Sequence, residues 1–185
     1  MTVQLCLCSG STTRARLLEQ AGVAFVQEPV PFDEETLMHY DVASDYVYHV
    51  ARGKLEAAER IHGLARPLLS ADTVVVNAEG AIVRKAQDQD AAREMLLSFS
   101  GAHIAIITSL HYKRSDRYLT DTSQTLYRFE PFDREDLERY LASGAWQGKA
   151  GACMVEGFCQ PYIRSVEGHE STAMGLQVEV LLPWL

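Results

Sequence analysis

A turn rich in hydroxyl groups follows the first apolar stretch of the chain. Residues 3–8 form a short apolar run that predicts a buried strand, and Ser9-Gly10-Ser11 ends it before apolar residues return at helical spacing. A helix that starts directly after a strand points several unpaired N–H groups at one place, which suits an anion. Ser11 is the expected N-cap, and Arg14 in the first turn would add a guanidinium. This stretch indicates an anion site, with an ordinary strand-to-helix connection as the alternative.

Two charged residues interrupt patterns that otherwise predict burial. Lys54 falls on the apolar stripe of a helix predicted over residues 44–62, with Ser44 as its cap. Because an unpaired buried charge is costly, Lys54 is predicted to face an anion in a cleft; in the alternative, its stem packs and its amine reaches water. Asp72 lies in a strand predicted over residues 67–76, although aspartate is disfavoured in strands. Asp72 therefore needs a partner, which can be a capping amide, a cation or a metal.

Further charged residues lie where turns are predicted. Glu34 belongs to an acidic connection of three successive carboxylates, which is either solvated surface or a ligand set for a divalent cation beside phosphates. Lys85 ends a predicted hairpin, and Lys149 is the only lysine of a glycine-rich stretch over residues 148–157. These residues add candidate phosphate and metal ligands to those above.

Length and composition limit the classes of function. The chain has 185 residues, 47% of them apolar and 23% charged, which is typical of one soluble globular domain. No apolar run approaches the ~20 residues that cross a bilayer, and no signal peptide is visible, so a cytoplasmic location without membrane partners is predicted. The net charge of −8 argues against general binding of nucleic acid, although it allows a small polyphosphate held by a local basic cluster.

The cysteines and two of the histidines are predicted to be structural. A zinc site that uses all four cysteines is disfavoured, because a Cys-x-Cys pair on a strand fits the usual ligand spacing poorly. Small buried apolar roles are predicted instead for these cysteines: Cys6, Cys8, Cys153 and Cys159. His103 and His111 share a strand face, but eight residues of strand separate them too far to bind one metal.

The order of elements predicts an α/β fold with a mixed sheet, since helices and strands alternate before hairpins intervene. The predicted helices cover residues 12–21, 44–62, 88–99 and 133–142, with a final helix from Ser171. The predicted strands cover residues 3–8, 23–26, 67–76, 81–83, 101–112, 118–129 and 162–166. Asp88 and Asp133 are the expected caps of two of these helices.

Taken in order, these motifs resemble the Maf family of nucleoside triphosphate pyrophosphatases, which is named for inhibition of septum formation. The resemblance extends over nearly the whole chain, and it depends on the order and spacing of several motifs. The matching motifs are Ser9-Gly10-Ser11 with Arg14, Phe32-Asp33-Glu34, Ala51-Arg52-Gly53-Lys54, Ala71-Asp72-Thr73-Val74-Val75, Lys85, Ser100-Gly101 with His103, Lys149-Ala150-Gly151-Ala152, and Gly168 with Gly175-Leu176.

The resemblance implies a fold, a reaction and a set of site residues. It implies a single domain over residues 1–185, similar to Maf proteins and inosine triphosphatases, with two lobes, a twisted mixed sheet flanked by helices, and a cleft. The implied reaction converts a nucleoside triphosphate to the monophosphate and pyrophosphate. Asp72, Glu34 and Lys54 would be catalytic, and the two carboxylates would hold Mg²⁺ or Mn²⁺. The substrate would bind to Ser9, Ser11, Arg14, Lys85, Lys149 and Glu156, and a homodimer is expected.

Several positions depart from the family pattern. Thr12 and Thr13 stand where the family has Pro and its first Arg, and Glu156 replaces a Gln. A second hypothesis is therefore kept: a weakly active or inactive relative that binds a nucleotide or a protein partner in cell-division control. The motifs favour a dTTP- or UTP-like substrate or a modified nucleotide, although the carboxylate of Glu156 offers a base different hydrogen bonds from those of an amide.

Overall fold

A computed structural model describes residues 4–185 of the chain, so Val3, the predicted start of the first strand, lies outside the described residues. The contacts divide the chain into two compact units. Unit 1 contains the described residues through Thr73, together with Thr108–Ser123 and His169–Leu185. Unit 2 contains Val74–Ile107 and Gln124–Gly168.

Seven strands form one mixed sheet, as the sequence predicts. The order of neighbouring strands is β2-β1-β3-β5-β6-β7, and β4 pairs with β3 outside that path. The strands are β1 Leu5–Leu7, β2 Phe25–Gln27, β3 Leu68–Val76, β4 Ile82–Val83, β5 His103–Arg114, β6 Arg117–Phe129 and β7 Ile163–Glu167.

Helices flank the sheet, which confirms the predicted α/β class. The α-helices are α1 Thr12–Gln20, α2 Ala43–His62, α3 Gln89–Phe99, α4 Arg134–Ser143, α5 Glu170–Ala173 and α6 Val178–Leu181. Short 3-10 helices cover Glu34–Leu37, Gln160–Tyr162 and Leu182–Trp184. Within the described part of the chain, every helix is too short or too polar to cross a membrane.

Unit 1 is built on parallel pairing. In β1, Cys6 lies opposite Val26 of β2 and Leu68 of β3. One side of these strands packs in a core that includes Leu7, Leu18 and Leu69 among its fully buried members, and the short C-terminal helices contribute Leu181 to it. Cys6 and Cys8 belong to a second cluster, with Leu55 and Ala58 of α2. The predicted apolar burial of the cysteines is confirmed, since all four are buried free thiols.

Unit 2 is built on antiparallel pairing. Val75 and Val76 pair with the short strand β4, which confirms the predicted hairpin. β6 pairs with β7, with an irregularity between Arg128 and Phe129. A further backbone bridge joins Lys85 to Ala150.

Local capping signals locate three of the helix starts. Ser11, Asp88 and Asp133 each accept a first-turn backbone N–H through their side chains, as predicted. The predicted cap Ser44 is wrong: α2 begins at Ala43, and its N-cap Val42 makes no side-chain capping bond. Near the other end of α2, the Ile61 side chain is 57% exposed.

The C-terminal segment differs from the single helix predicted from Ser171. It forms the short helices α5 and α6 instead. Gly175 separates them with a φ of +97°, a left-handed conformation that breaks a helix and favours glycine. The carbonyl group of Gly175 also accepts a hydrogen bond from Arg14, so the break has a tertiary partner.

The missing cap of α2 predicts a stabilising substitution. Val42 is 58% exposed and has extended backbone angles, φ −82° and ψ 119°, which suit an N-cap. A serine there can accept an orphan N–H, so Val42→Ser should raise the free energy of unfolding by about 1 kcal/mol. Chemical denaturation of both proteins measures this change. Val42→Ala is the matched control, and an equal gain in the two variants would contradict the capping explanation.

Candidate active site

The Ser-Gly-Ser loop, Ser9-Gly10-Ser11, connects β1 to α1 and is held by hydrogen bonds on both sides. The Ser11 N–H donates to Ser9 Oγ over 3.2 Å, and the Arg14 N–H donates to Ser11 Oγ over 3.3 Å. Gln27 Nε2 donates to the carbonyl groups of Ser9, at 2.7 Å, and Ser11, at 3.3 Å. The loop is therefore fixed at the N-terminal end of α1, where backbone N–H groups favour an anion.

Arg14 joins this loop to two distant segments of unit 1. Its Nη1 donates to Ser9 Oγ over 3.0 Å, its Nη2 to Thr73 Oγ1 over 3.1 Å, and its Nε to the carbonyl of Gly175 over 2.7 Å. A guanidinium has five N–H groups, so these three bonds leave two donors that an anion can use. Arg14 thus connects these segments and keeps two N–H donors for a ligand.

The electrostatic surroundings of Arg14 are acidic on balance. Burial lowers the pKa of its guanidinium, and the charges of Asp72 and Glu34 act in the opposite direction. Because the ordinary arginine pKa is far above neutral, Arg14 remains a cation. Its charge faces the same carboxylates that Lys54 contacts.

Lys54, Asp72 and Glu34, called here the Lys54 cluster, meet through one ammonium group. Lys54 Nζ lies 2.8 Å from Asp72 Oδ1 and 2.6 Å from Glu34 Oε1. The side chains of Lys54 and Asp72 are 17% and 11% exposed, whereas that of Glu34 is 41% exposed. The three residues that the family resemblance implies to be catalytic are therefore in contact, and Lys54 is the cation beside Asp72. Its predicted role toward a bound anion stays a prediction.

The protonation equilibrium of Asp72 reflects its position in a buried strand. Burial raises the pKa of its carboxyl group, and the charge and hydrogen bond of Lys54 oppose that rise. The neighbouring charge of Glu34 raises the pKa further. The ionised form thus depends on cations at this point, which Lys54 supplies directly.

Glu34 reaches Lys54 because the acidic connection packs on α2. Gly53 faces the ring of Phe32 so closely that an added Cβ would lie 2.3 Å from Phe32 Cζ. Asp33 caps the following 3-10 helix by accepting the Glu35 N–H over 3.0 Å. The glycine beside Lys54 therefore admits the loop that carries Glu34.

A hydroxyl network that no sequence pattern predicts supports the base of this region. Thr73 Oγ1 lies 2.9 Å from Thr108 Oγ1, which donates to the Thr172 carbonyl over 2.7 Å. Gln177 Nε2 donates to the Thr108 carbonyl over 2.6 Å. Thr73 could be recognised because it directly follows Asp72, but no local sequence pattern distinguishes Thr108 or Gln177.

Unit 2 carries the second group of predicted phosphate ligands. The Lys149 turn, Lys149-Ala150-Gly151-Ala152, is bound to the Arg84-Lys85 segment through the bridge at Ala150 and through the Gly151 N–H, which donates to the Arg84 carbonyl over 3.0 Å. Gly151 has a φ of +60°, and an added Cβ would meet Phe99 at 3.1 Å and Val75 at 3.2 Å. The turn therefore requires glycine at this position.

The two lysines of unit 2 are available for an anion. Lys85 is exposed and Lys149 is half-buried, and neither ammonium forms an ion pair or hydrogen bond with another residue of the range 4–185. Glu156 is half-buried in the segment that follows the Lys149 turn. The predicted roles of Lys85, Lys149 and Glu156 in substrate binding stay predictions.

The oxygen donors of the Lys54 cluster fit a hard divalent cation. Glu34 and Asp72 each place a carboxylate oxygen within 2.8 Å of one common cationic atom. Mg²⁺ and Mn²⁺ prefer such oxygen ligands, and Mg²⁺ is often held by one or two carboxylates together with substrate phosphates. Glu34 and Asp72 are therefore the residues that would hold the cation.

The α/β fold of this chain also occurs in a solved structure. A solved structure described as a HAM1 protein from Coxiella burnetii matches the whole of both chains with a TM-score of 0.54 and 14% sequence identity, which indicates a shared fold only. A family model described as Maf-like protein matches residues 4–185. The chain belongs to this Maf-like family.

Curated relatives support the same membership. A protein of Nitratiruptor sp. named nucleoside triphosphate pyrophosphatase is 53% identical over 176 residues, which cover 95% of each chain. A protein of Chromobacterium violaceum named dTTP/UTP pyrophosphatase is 38% identical over 176 residues, 93% of this chain and 88% of that one. The resemblance stated from the motifs is thereby confirmed.

The contact between Gly53 and Phe32 predicts that an alanine substitution, which usually stabilises a helix, destabilises this protein. Gly→Ala inside a helix normally stabilises by about 1 kcal/mol. Here the new methyl group would displace Phe32, so Gly53→Ala should instead lower the free energy of unfolding by about 1–3 kcal/mol. Denaturant titration measures the sign. In a Phe32→Ala background the same substitution should stabilise, and stabilisation in both backgrounds would contradict the packing described above.

Proposed function

We propose that this chain hydrolyses a nucleoside triphosphate or deoxynucleoside triphosphate to the monophosphate and pyrophosphate. The observation that carries the proposal is the Lys54 cluster, in which one ammonium holds a buried and a half-buried carboxylate together. A buried ion pair of this kind is weak support for stability, so its chemistry is the better reason for its presence. The names of the relatives, both pyrophosphatases of nucleoside triphosphates, support the same reaction.

The contacts of the candidate residues in unit 1 support a proposed role for each of them. The Ser-Gly-Ser loop and the two remaining donors of Arg14 bind phosphate oxygens, since both present N–H or O–H groups to an anion. Lys54 offsets charge on the triphosphate, and Asp72 or Glu34 orients the water that attacks the α-phosphorus. Charge then develops on the pyrophosphate leaving group, which the cationic residues stabilise. Lys85 and Lys149 are proposed as further phosphate ligands because their ammonium groups are unpaired among the described residues.

The proposed cofactor is Mg²⁺ or Mn²⁺ at Asp72 and Glu34. The donor chemistry of these residues supports a hard cation, as described above. When bound, such an ion polarises phosphate oxygens and lowers the pKa of its water ligands. Without the ion, Lys54 keeps the two carboxylates together.

The preferred base is proposed to be a pyrimidine of the dTTP or UTP type, or a modified base. The name of the C. violaceum relative supports the first choice. Glu156 supports a modified base, because a carboxylate accepts hydrogen bonds but, unlike an amide, does not donate them. A homodimer and a role in cell division are further expectations that rest on the family resemblance alone, and a cytoplasmic location is the expectation from the sequence pattern.

A pyrophosphate-release screen tests the reaction. The full chain is incubated with common and modified nucleoside triphosphates, with Mg²⁺ or Mn²⁺, and the monophosphate and pyrophosphate products are separated and quantified. Equal amounts of the two products from at least one nucleotide are expected. Absence of turnover on all nucleotides, together with absence of triphosphate binding by calorimetry, would favour the partner-binding hypothesis.

Removing the charge of Asp72 should abolish activity without unfolding the protein. Asp72→Asn keeps the shape of the side chain, so it should abolish metal-dependent turnover. Burial disfavours the ionised carboxylate of Asp72 and raises its pKa, and Glu34 still pairs with Lys54 in the variant, so Asp72→Asn should fold like the parent at pH 7. Turnover and denaturant unfolding are measured on the same sample. The exposed Asp41→Asn is the matched control, and parental turnover in Asp72→Asn would contradict the assigned chemistry.

Restoring the family guanidinium should tighten binding. Thr13 is half-buried in the first turn of α1, beside Arg14. Thr13→Arg would add a charge-assisted hydrogen bond of about 1–2 kcal/mol, or about 5- to 30-fold in Kd for a non-hydrolysable triphosphate. Calorimetry measures the affinity. Thr13→Gln controls for side-chain length, and an equal gain with glutamine would show that charge is not the cause.

A further inference from the structure

A group of soft and borderline ligands lies in unit 1 apart from the residues assigned to the nucleotide. Cys6 is the central residue of β1, Glu28 follows β2 directly, and His62 is the last residue of α2. Their ligand atoms all lie within 4.8 Å of one another. We propose that Cys6, Glu28 and His62 form a second metal site, which selects a cation of the Zn²⁺ class.

The distances match those between ligands of a tetrahedral ion. Zn²⁺ bonds of ~2.0–2.3 Å to nitrogen, oxygen and sulfur give ligand–ligand separations of about 3.3–3.6 Å in a tetrahedron. Glu28 Oε2 lies 3.2 Å from His62 Nδ1 and 3.5 Å from Cys6 Sγ. The side chains therefore need little rearrangement to accept an ion.

The surroundings prepare the ligands for a cation. Arg66 Nη2 donates to both oxygens of Glu28, at 3.0 and 3.2 Å, which orients the carboxylate as outer-shell partners of metal ligands do. His62 lies at the C-terminal end of a 20-residue helix, where the helix dipole favours positive charge. Its Nδ1 lies beside Glu28 Oε2, and its Nε2 is buried without a hydrogen-bond partner among residues 4–185, so the ring has only one polar contact in this part of the chain.

The degree of burial leaves one coordination position accessible. Cys6 is fully buried, whereas the side chains of Glu28 and His62 are 34% and 22% exposed. An ion held by these three ligands can therefore be reached from solvent and can take a water molecule as its fourth ligand. Cys8 is not part of the group, although its sulfur lies 3.8 Å from that of Cys6.

The donor types distinguish this site from the Lys54 cluster. A thiolate, an imidazole and a carboxylate together favour Zn²⁺ over Mg²⁺, because hard cations avoid sulfur. The Lys54 cluster offers oxygen atoms only. The two sites should therefore bind different metals, and neither depends on the residues of the other.

Co²⁺ titration of the full chain tests the proposal. The protein is treated with a chelator and kept reduced, without nucleotide, and Co²⁺ reports a cysteine ligand through a thiolate-to-cobalt charge-transfer band. One equivalent should produce the band, and Zn²⁺ should abolish it. Absence of the band, or insensitivity to Zn²⁺, would overturn the proposal.

Variants identify the ligands. Cys6→Ser should abolish the band, and Glu28→Gln and His62→Gln should each weaken Zn²⁺ binding by about 100-fold or more, beyond what is typical for an outer-shell partner. Cys153→Ser and Asp72→Asn, which alter the other thiol pair and the Lys54 cluster, should leave the band unchanged. A band that survives Cys6→Ser or disappears in Cys153→Ser would overturn the assignment. If Cys6→Ser does not fold, His62→Gln, at a side chain that is 22% exposed, carries the test through its weaker Zn²⁺ binding.

Discussion

The bond from Lys54 to Asp72 is the interaction on which the candidate site depends. It keeps a carboxylate in a buried strand, where desolvation acts against the charged form. Such pairs rarely improve stability over well-packed apolar residues of similar size. The fold therefore carries a cost at Asp72, and the proposed reaction, which would use an ionised oxygen ligand there, accounts for that cost.

The rest of unit 1 brings distant segments to this pair. Arg14 connects the Ser-Gly-Ser loop to Thr73, the residue after Asp72, and to Gly175 near the C-terminus. Gly53 admits the Phe32 ring, so that Glu34 completes the cluster from the other side. Five separate stretches of sequence thus fix one set of charges, and the hydroxyl network that includes Thr73 supports them.

Local chemistry explains what the sequence could predict. Ser11, Asp88 and Asp133 begin helices because a side-chain oxygen next to an apolar run has one obvious partner. Lys54 and Asp72 were noticeable because each breaks a buried pattern, although only the fold shows that they bind each other. The Ser44 prediction failed because α2 begins one residue earlier, at Ala43, and its N-cap Val42 has no side-chain group that can accept a hydrogen bond.

Features that depend on long-range contact left no local signal. Gln27 and Gln177 hold backbone carbonyls far away in sequence, and the carbonyl of Gly175 meets Arg14 across 161 residues. The same limit applies to Cys6, which as a strand cysteine predicts only an apolar role. Its proximity to Glu28 and His62 arises from parallel pairing of β1 with β2 and from the packing of α2.

The direction of water attack tests the central claim most directly. Hydrolysis of a substrate nucleotide in ¹⁸O-labelled water, followed by mass spectrometry of both products, locates the phosphorus atom that the water attacks. If the carboxylates of the Lys54 cluster direct water to the α-phosphorus, one labelled oxygen will appear in the monophosphate and none in the pyrophosphate. Label in the pyrophosphate would contradict the account.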